Sequence, residues 1–284
     1  KADGLAAGKG VVVTTNRAEA VDAVRSYLSG AAFGDAGRTV IIEEGLTGPE
    51  LSVLAICDGT TAVSLTPAQD FKRIGDGGAG PNTGGMGAYS PVPVATNTVV
   101  DDLMAGAVQP TLAALRGRGI DYRGVLYCGL MLTPNGPKVL EYNVRFGDPE
   151  TQVVLPRLTS DLGYLLAAAA AGCLKELPTF DDGAAVTVVC ATEGYPTGSR
   201  TGDPIEGLEA AAAVDGVMVF SAGVAEGGDG RLVTAGGRVL SVTGQGRTIA
   251  EARWRAYDAV AELGWSGMQF RRDIAVNPTG VESD

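Results

Sequence analysis

The stretch from Lys138 to Gln152, K-V-L-E-Y-N-V-R-F-G-D-P-E-T-Q, constrains this chain more than any other. Val139 to Val144 follows the two-residue period of a strand, which sets Glu141, Asn143 and Arg145 on one face. A carboxylate beside an amide oxygen suits a hard cation such as Mg²⁺, which takes oxygen ligands and keeps waters and phosphates. A guanidinium further along the same face is suited to phosphate oxygens. Gly147-Asp148-Pro149 then stops the strand and holds another carboxylate at its mouth. A half-buried strand with a solvated polar face accounts for E-x-N-x-R equally well, so the rest of the chain has to decide.

Composition narrows the choice. The 42 glycines in 284 residues are about double the usual share of ~7%, and they fall in short runs without a collagen period. Many tight turns and Gly-rich loops follow. A net charge of −11 argues against a nucleic-acid or anionic-membrane surface. Histidine is absent, which removes imidazole bases and His-based zinc sites and leaves carboxylates, Lys, Arg and bound metal to run any chemistry. Cys57, Cys128, Cys173 and Cys190 form no C-x-x-C pair, so they read as core thiols of a reducing cytosol. No apolar run is long enough to span a bilayer. The chain opens at Lys1 inside what reads as a strand end, so a longer polypeptide is expected.

Taken in order, residues 1–10 make a Gly-rich loop with Lys1 and Lys9, followed by a strand at Val11–Thr14. Such a loop can close backbone N–H groups and ammonium charges over phosphates, though it is not a P-loop. Asn16 caps a helix running to about Ser29, with Ala18, Val21, Val24 and Leu28 on one face. Val40-Ile41-Ile42 reads as a buried strand leading to Glu43 and Glu44, whose carboxylates could accept from an amino group and a ribose diol; a solvated turn is the alternative. Leu51–Cys57 and Thr61–Leu65 form a hairpin around Asp58-Gly59. The Pro67–Asn82 segment and the glycines after it carry too many specific donors for a spacer and read as a functional loop.

A helix is expected from Thr98 to Arg118, kinked at Pro110, and then a hairpin of Gly124–Leu132 with Lys138–Val144. Thr151–Leu158 and Asp161–Ala171 read as helix, and Leu177–Gly183 as a boundary. Beyond it come short strands (Ala184–Ala191, Val217–Ala222, Arg231–Ala235, Val239–Thr243). One amphipathic helix, Thr248–Leu263, opens on a capping box of Thr248 and Glu251. Ile249, Trp254, Tyr257, Val260 and Ala261 are expected in its core face.

In this order the pieces resemble the ATP-grasp superfamily. Within it K-A-D-G-L-A-A-G-K-G, Q-D-F-K-R, G-P-N-T-G-G-M-G-A-Y-S-P and R-F-G-D-P-E-T-Q are similar to the phosphoribosylamine–glycine ligase family of purine biosynthesis. The resemblance covers nearly the whole chain. It implies an α+β ATP-grasp fold, antiparallel sheets with flanking helices, over residues 1–178, residues 1–50 being part of a mobile ATP lid. A small C-terminal β-rich domain with one long helix follows over 179–284. The family's N-terminal domain and the first part of its ATP-grasp module are expected to be missing.

The implied activity is a cytoplasmic, monomeric carboxylate–amine ligase that uses ATP and Mg²⁺ or Mn²⁺ to join glycine to 5-phosphoribosylamine through glycyl phosphate. The products are glycinamide ribonucleotide, ADP and phosphate. Another ATP-grasp ligase, or a nucleotide-binding fragment inactive by itself, are the alternatives. By the same resemblance Lys1 holds the α/β-phosphates, and Lys9 lies in the loop over the triphosphate. Glu43, the Glu44 carbonyl and Leu46 N–H read adenine, and Glu50 binds the ribose. Glu141 and Asn143 match the metal ligands, and Arg145 is placed for the transferring phosphoryl group. Asp70, Lys72, Arg73, Asn82, Thr83, Gly84 and Asp148 are implied as glycine and phosphoribosylamine contacts. Many relatives carry His where Phe71 stands.

Overall fold

A computed structural model describes residues 1–4, 6 and 10–278 of the chain. The helix expected at the N-terminus is present as α1 (Arg17–Leu28), and the Asn16 side chain accepts from the Ala18 and Glu19 amides. Its apolar face is not buried as expected: Val21 and Leu28 are exposed, and Tyr27 is its buried residue. Neither strand expected in this region forms. Val11–Thr14 is irregular with Val13 exposed, and Val40 makes one isolated bridge, to Ala2, while Ile42 is 86% exposed. Among the described residues the backbone at 39–41 bonds only to residues 1–3, and a strand with one short neighbour has no layer to bury against.

From Glu50 onward the strands find partners. β1 (Glu50–Asp58) and β2 (Ala62–Ser64) make the expected hairpin, its turn tied by the Asp58 carboxylate accepting from the Thr60 and Thr61 amides. The segment expected as a loop over 67–82 contains β3 (Gln69–Asp70), which pairs with β4 (Gly87–Ser90). The long helix is α2 (Asn97–Leu103), a π-helical turn over Met104–Val108, and α3 (Gln109–Gly117). Pro110, which has no N–H to donate, lies two residues past that turn, in the first turn of α3. β5 (Arg123–Thr133) and β6 (Gly136–Asn143) form the second hairpin, followed by α4 (Thr151–Val154) and α5 (Leu162–Ala171).

These strands assemble an antiparallel four-stranded sheet in the order β2-β1-β5-β6. β1 is buried on both faces, which is why its sequence runs apolar without alternation. Leu51, Val53, Ala55 and Cys57 pack with Leu103, Val108 and Leu112 on one side; Leu54 and Ile56 pack with Val125, Val154 and Leu165 on the other. β6 is the edge strand, and Leu140 forms a bulge in it, since Gly129 pairs with Glu141 and Leu130 with Val139.

The remaining elements are β7 (Ala184–Ala191), α6 (Leu208–Ala212), β8 (Val217–Ser221), β9 (Val224–Glu226), β10 (Leu232–Thr234), β11 (Arg238–Gly246) and α7 (Ile249–Glu262). A second antiparallel sheet runs β3-β4-β7-β11-β8, and β9 and β10 pair separately. The second sheet crosses the boundary expected near residue 178, because β4 pairs with β7. Thr248 caps α7 and accepts from the Glu251 amide as expected. The stripe that α7 turns to the sheet is Ala252, Ala256, Ala259 and Val260. Trp254, at 62%, and Ala261 are exposed rather than core, because they lie outside that i, i+4, i+7, i+8 stripe. No helix of the described residues is long and apolar enough to cross a membrane. Cys57, Cys128 and Cys190 are buried with thiol pKa values pushed up by burial, whereas Cys173 is exposed.

Candidate active site

The strand period and the register place the site on one face of the first sheet. Ser52 stands opposite Gly129 and Gly129 opposite Glu141; Tyr127 stands opposite Asn143. Glu50, Ser52, Tyr127, Glu141 and Asn143 therefore share a face. Further along β1 the same face turns apolar at Leu54 and Ile56 and is covered by α5. Asn143 Nδ2 donates to Glu141 Oε1 at 3.2 Å, so the expected pair is together at the exposed end of the edge strand. Arg145 follows, exposed, its guanidinium donating to the Phe146 carbonyl at 2.8 Å.

β3 brings a second group over this face. Lys72 Nζ meets Glu50 Oε2 at 2.5 Å. Burial opposes the Lys72 charge, but the carboxylates of Asp70, Glu50 and Glu141 outweigh it and hold the ammonium pKa above its ordinary value. Asp70 Oδ1 is sealed from solvent with no hydrogen-bond partner. Burial, with Glu150 and Glu50 adding and Lys72 opposing, pushes the Asp70 carboxyl up to about 8. Glu150, itself 3% exposed, accepts from the Ser52 hydroxyl at 3.0 Å, and that hydroxyl also lies 2.9 Å from Tyr127 Oη. Burial raises the Tyr127 phenol well above its usual range, with Asp70 and Glu150 adding. Carboxyls gathered round one lysine, in a water-poor recess, form a strong local field that can order a charged small molecule.

The expected substrate loop is held by its own chain. Thr83 donates to the Lys72 carbonyl through both its N–H (2.7 Å) and its hydroxyl (2.8 Å). Arg73 bridges to Asn82 along the backbone and sends its guanidinium to the Gly80 carbonyl, so both stay exposed on the loop, away from the Lys72 cluster. Phe71 alternates to the other side, where Arg271 stacks on its ring at 4.9 Å. No imidazole position therefore faces Lys72. Gly84 and Asp148 come together through Arg238, whose guanidinium donates to the Gly84 carbonyl and to the Asp148 carboxylate.

Among the residues expected at the nucleotide, Lys1 Nζ lies 2.8 Å from Glu43 Oε2 and 3.2 Å from the Leu140 carbonyl, so Lys1 joins Glu43 to the bulge of β6. Glu44 is exposed and Leu46 half-buried, without the strand expected to aim them. Glu50, expected on the ribose, is engaged by Lys72. Lys9 lies outside the described residues. Glu141 and Asn143 fit a hard cation by donor type, and among the described residues no cluster of three or more His, Cys, Asp or Glu could hold one. A metal at this pair would complete its shell with water or phosphate.

Sequence reasoning missed Ser52, Tyr127, Glu150, Tyr195 and Arg238. Ser52 was detectable as the one hydroxyl in an apolar strand, and Glu150 as the second acid of G-D-P-E; Arg238 has no local signal.

Comparison with known proteins bears on the family of the chain. The family model for the phosphoribosylglycinamide synthetase ATP-grasp (A) domain matches residues 1–151, and that for the C domain matches 185–277. The phosphoribosylamine–glycine ligase of Brucella melitensis is 50% identical over 275 residues, 96% of this chain and 64% of its own length. That of Streptomyces coelicolor is 51% identical over 285 residues, 99% of this chain and 66% of its own. The crystal structure of the Thermotoga maritima ligase superposes with a TM-score of 0.82 at 39% identity, covering 96% of this chain and 68% of that one. A biotin carboxylase domain from Hydrogenobacter thermophilus, 15% identical with a TM-score of 0.66 over 93% of this chain and 56% of that one, shares the fold. The chain thus spans somewhat under two thirds of the curated relatives it matches. With an ATP-grasp domain model over its first half and the C-domain model behind it, the chain belongs to the phosphoribosylglycinamide synthetase family.

Proposed function

We propose that this chain, as part of its full-length protein, catalyses ATP-dependent ligation of glycine to 5-phosphoribosylamine through glycyl phosphate. The products are glycinamide ribonucleotide, ADP and phosphate, a step of purine biosynthesis in the cytoplasm by a monomer. The observation that carries the reading is the single sheet face on which a Glu141–Asn143 oxygen pair adjoins the Lys72–Asp70–Glu50–Glu150 cluster. Relatives bearing the ligase name at 50–51% identity support the choice of substrates.

The chemistry asks for positioning and charge neutralisation more than for a strong base. Glycine arrives with an ionised carboxylate, and phosphoribosylamine brings a free amine. Lys1, beside Glu43, would take the α/β-phosphates, and Lys9 would lie in the covering loop. Glu43, Glu44 and Leu46 would select adenine and Glu50 the ribose. Arg145 would neutralise charge on the phosphoryl group in transfer. Glu141 and Asn143 would hold Mg²⁺ or Mn²⁺, which would supply neutralisation of phosphate charge. Asp70, Lys72, Thr83, Gly84 and Asp148 would position glycine and the amine, with Arg73 and Asn82 on the outer rim of that loop. Closing the Gly-rich segments over the site would keep water from the acyl phosphate.

ADP release by the full-length protein tests the reading. Release that needs glycine and phosphoribosylamine together, with stoichiometric glycinamide ribonucleotide, is expected. Release with a different amine would retain the ATP-grasp chemistry and discard the named acceptor.

A further inference from the structure

Arg238 stands at the start of β11, in the C-terminal part of the chain, yet its guanidinium ends between two loops of the candidate site. Nη1 donates to the Gly84 carbonyl at 2.9 Å and to the Asp148 carbonyl at 2.9 Å. Nη2 meets Asp148 Oδ2 at 2.9 Å, and Nη1 lies 3.2 Å from Oδ1, a forked pairing. Tyr195, also C-terminal, accepts from the Gly84 N–H at 2.9 Å.

The surroundings are shaped to these two side chains. A Cβ on Gly84 would lie 3.0 Å from Arg238 Cζ, and one on Gly237 only 2.3 Å from the Tyr195 ring. Gly85 has φ +111°, and a Cβ there would lie 2.4 Å from Pro149 Cδ, so the two loops touch directly where the guanidinium binds both. Each loop leads straight into the site. Thr83, next to Gly84, holds the Lys72 carbonyl, and Glu150, two residues after Asp148, meets Ser52.

Resting on the ligase reading, we propose that Arg238 is a positioning residue of the site. Its guanidinium sets the Lys72 loop against the Glu150 loop, so the C-terminal sheet forms part of the substrate wall. Arginine suits the task because its planar fork reaches a carboxylate and two carbonyls at once, which a lysine ammonium does not. A part-exposed ion pair of this kind contributes little to stability, so its loss affects geometry more than folding.

The test uses R238Q and R238K in the full-length protein. R238Q is expected to lower kcat/KM for glycine and for the amine about 10- to 100-fold, the scale of a misplaced reacting group. Equilibrium affinity for nucleotide should stay within about two-fold, under ~0.5 kcal/mol. R238K should recover part of the loss. Hydrogen exchange at amides 83–86 should rise in R238Q whether or not the parent turns over, which separates failure of the clamp from failure of the ligase reading. Unchanged exchange or parent-like kcat/KM in folded R238Q overturns the proposal.

Discussion

Two lysines reach β6, and they are held in different ways. Lys1 reaches the Leu140 carbonyl and Glu43 from a segment whose backbone makes one isolated bridge. Lys72 lies within range of Glu141 from a loop anchored by Thr83, by β3–β4 pairing and by the Arg238 contact beyond it. The substrate side thus carries its own supports inside this chain, whereas the nucleotide side leaves Ile42, Val13 and Val144 exposed. Order in a strand comes from its neighbours. A loop can be rigid without regular structure when its carbonyls are met by fixed donors.

The largest expected effect falls where the two sides meet. Glu141→Ala should leave the fold intact, since Glu141 is an exposed side chain on an edge strand. Turnover in the full-length protein should drop by about 10²–10³-fold, the cost of one lost contact to developing charge. Circular dichroism and a thermal melt check the fold, and coupled ADP release checks the rate. Near-normal turnover in a folded variant would sink the metal assignment and leave β6 a shared wall only.

How much of this was legible depended on the range over which each cause acts. The β5–β6 hairpin, the Asn16 and Thr248 caps and the pairing of Glu141 with Asn143 are local, set by a period or a spacing within a few residues. Val40–Ile42 carries the same strand-like composition as β1, but composition does not say whether a neighbour exists. Trp254 illustrates a related limit: its apolarity suggested the core, while the stripe that meets the sheet is the small-residue set around Ala252 and Ala256. The Lys72–Glu50 pair joins two motifs that the family resemblance assigns to different ligands. Arg238 and Asp148 lie 90 residues apart in sequence, and nothing in A-G-G-R-V-L announces Asp148 as its partner.

A middle-sized effect sharpens the substrate side through pH. The Asp70 carboxyl is pushed up to about 8, chiefly by burial, and it faces Lys72, Glu50, Glu150 and Tyr127. An unfolded Asp titrates near ~3.9, so the native state holds a proton that the unfolded state has released. That proton favours the fold in full below about pH 4, and the advantage is lost as pH rises toward 8. Urea unfolding of the parent should therefore show stability declining over this window relative to Asp70→Asn, whose amide does not titrate. Parallel curves would mean that Lys72 keeps Asp70 ionised throughout, and the recess would then be a charged pair network.

The smallest effect is expected on the nucleotide side. Ile42 is 86% exposed and adjoins Glu43, the partner of Lys1. Its side chain contributes little to folding, so Ile42→Ser should change unfolding free energy by no more than about 0.5 kcal/mol, the range of ordinary surface substitutions. An exposed isoleucine beside a charged pair is instead suited to an apolar ligand face, and covering it stabilises by about 25 cal/mol per Å². Nucleotide affinity of the full-length variant should then fall a few-fold, about 1 kcal/mol or less. A loss of stability with unchanged affinity would show that Ile42 is buried by protein in the full-length fold. The contrast between the two lysines would in that case reflect only which part of the polypeptide supplies the support.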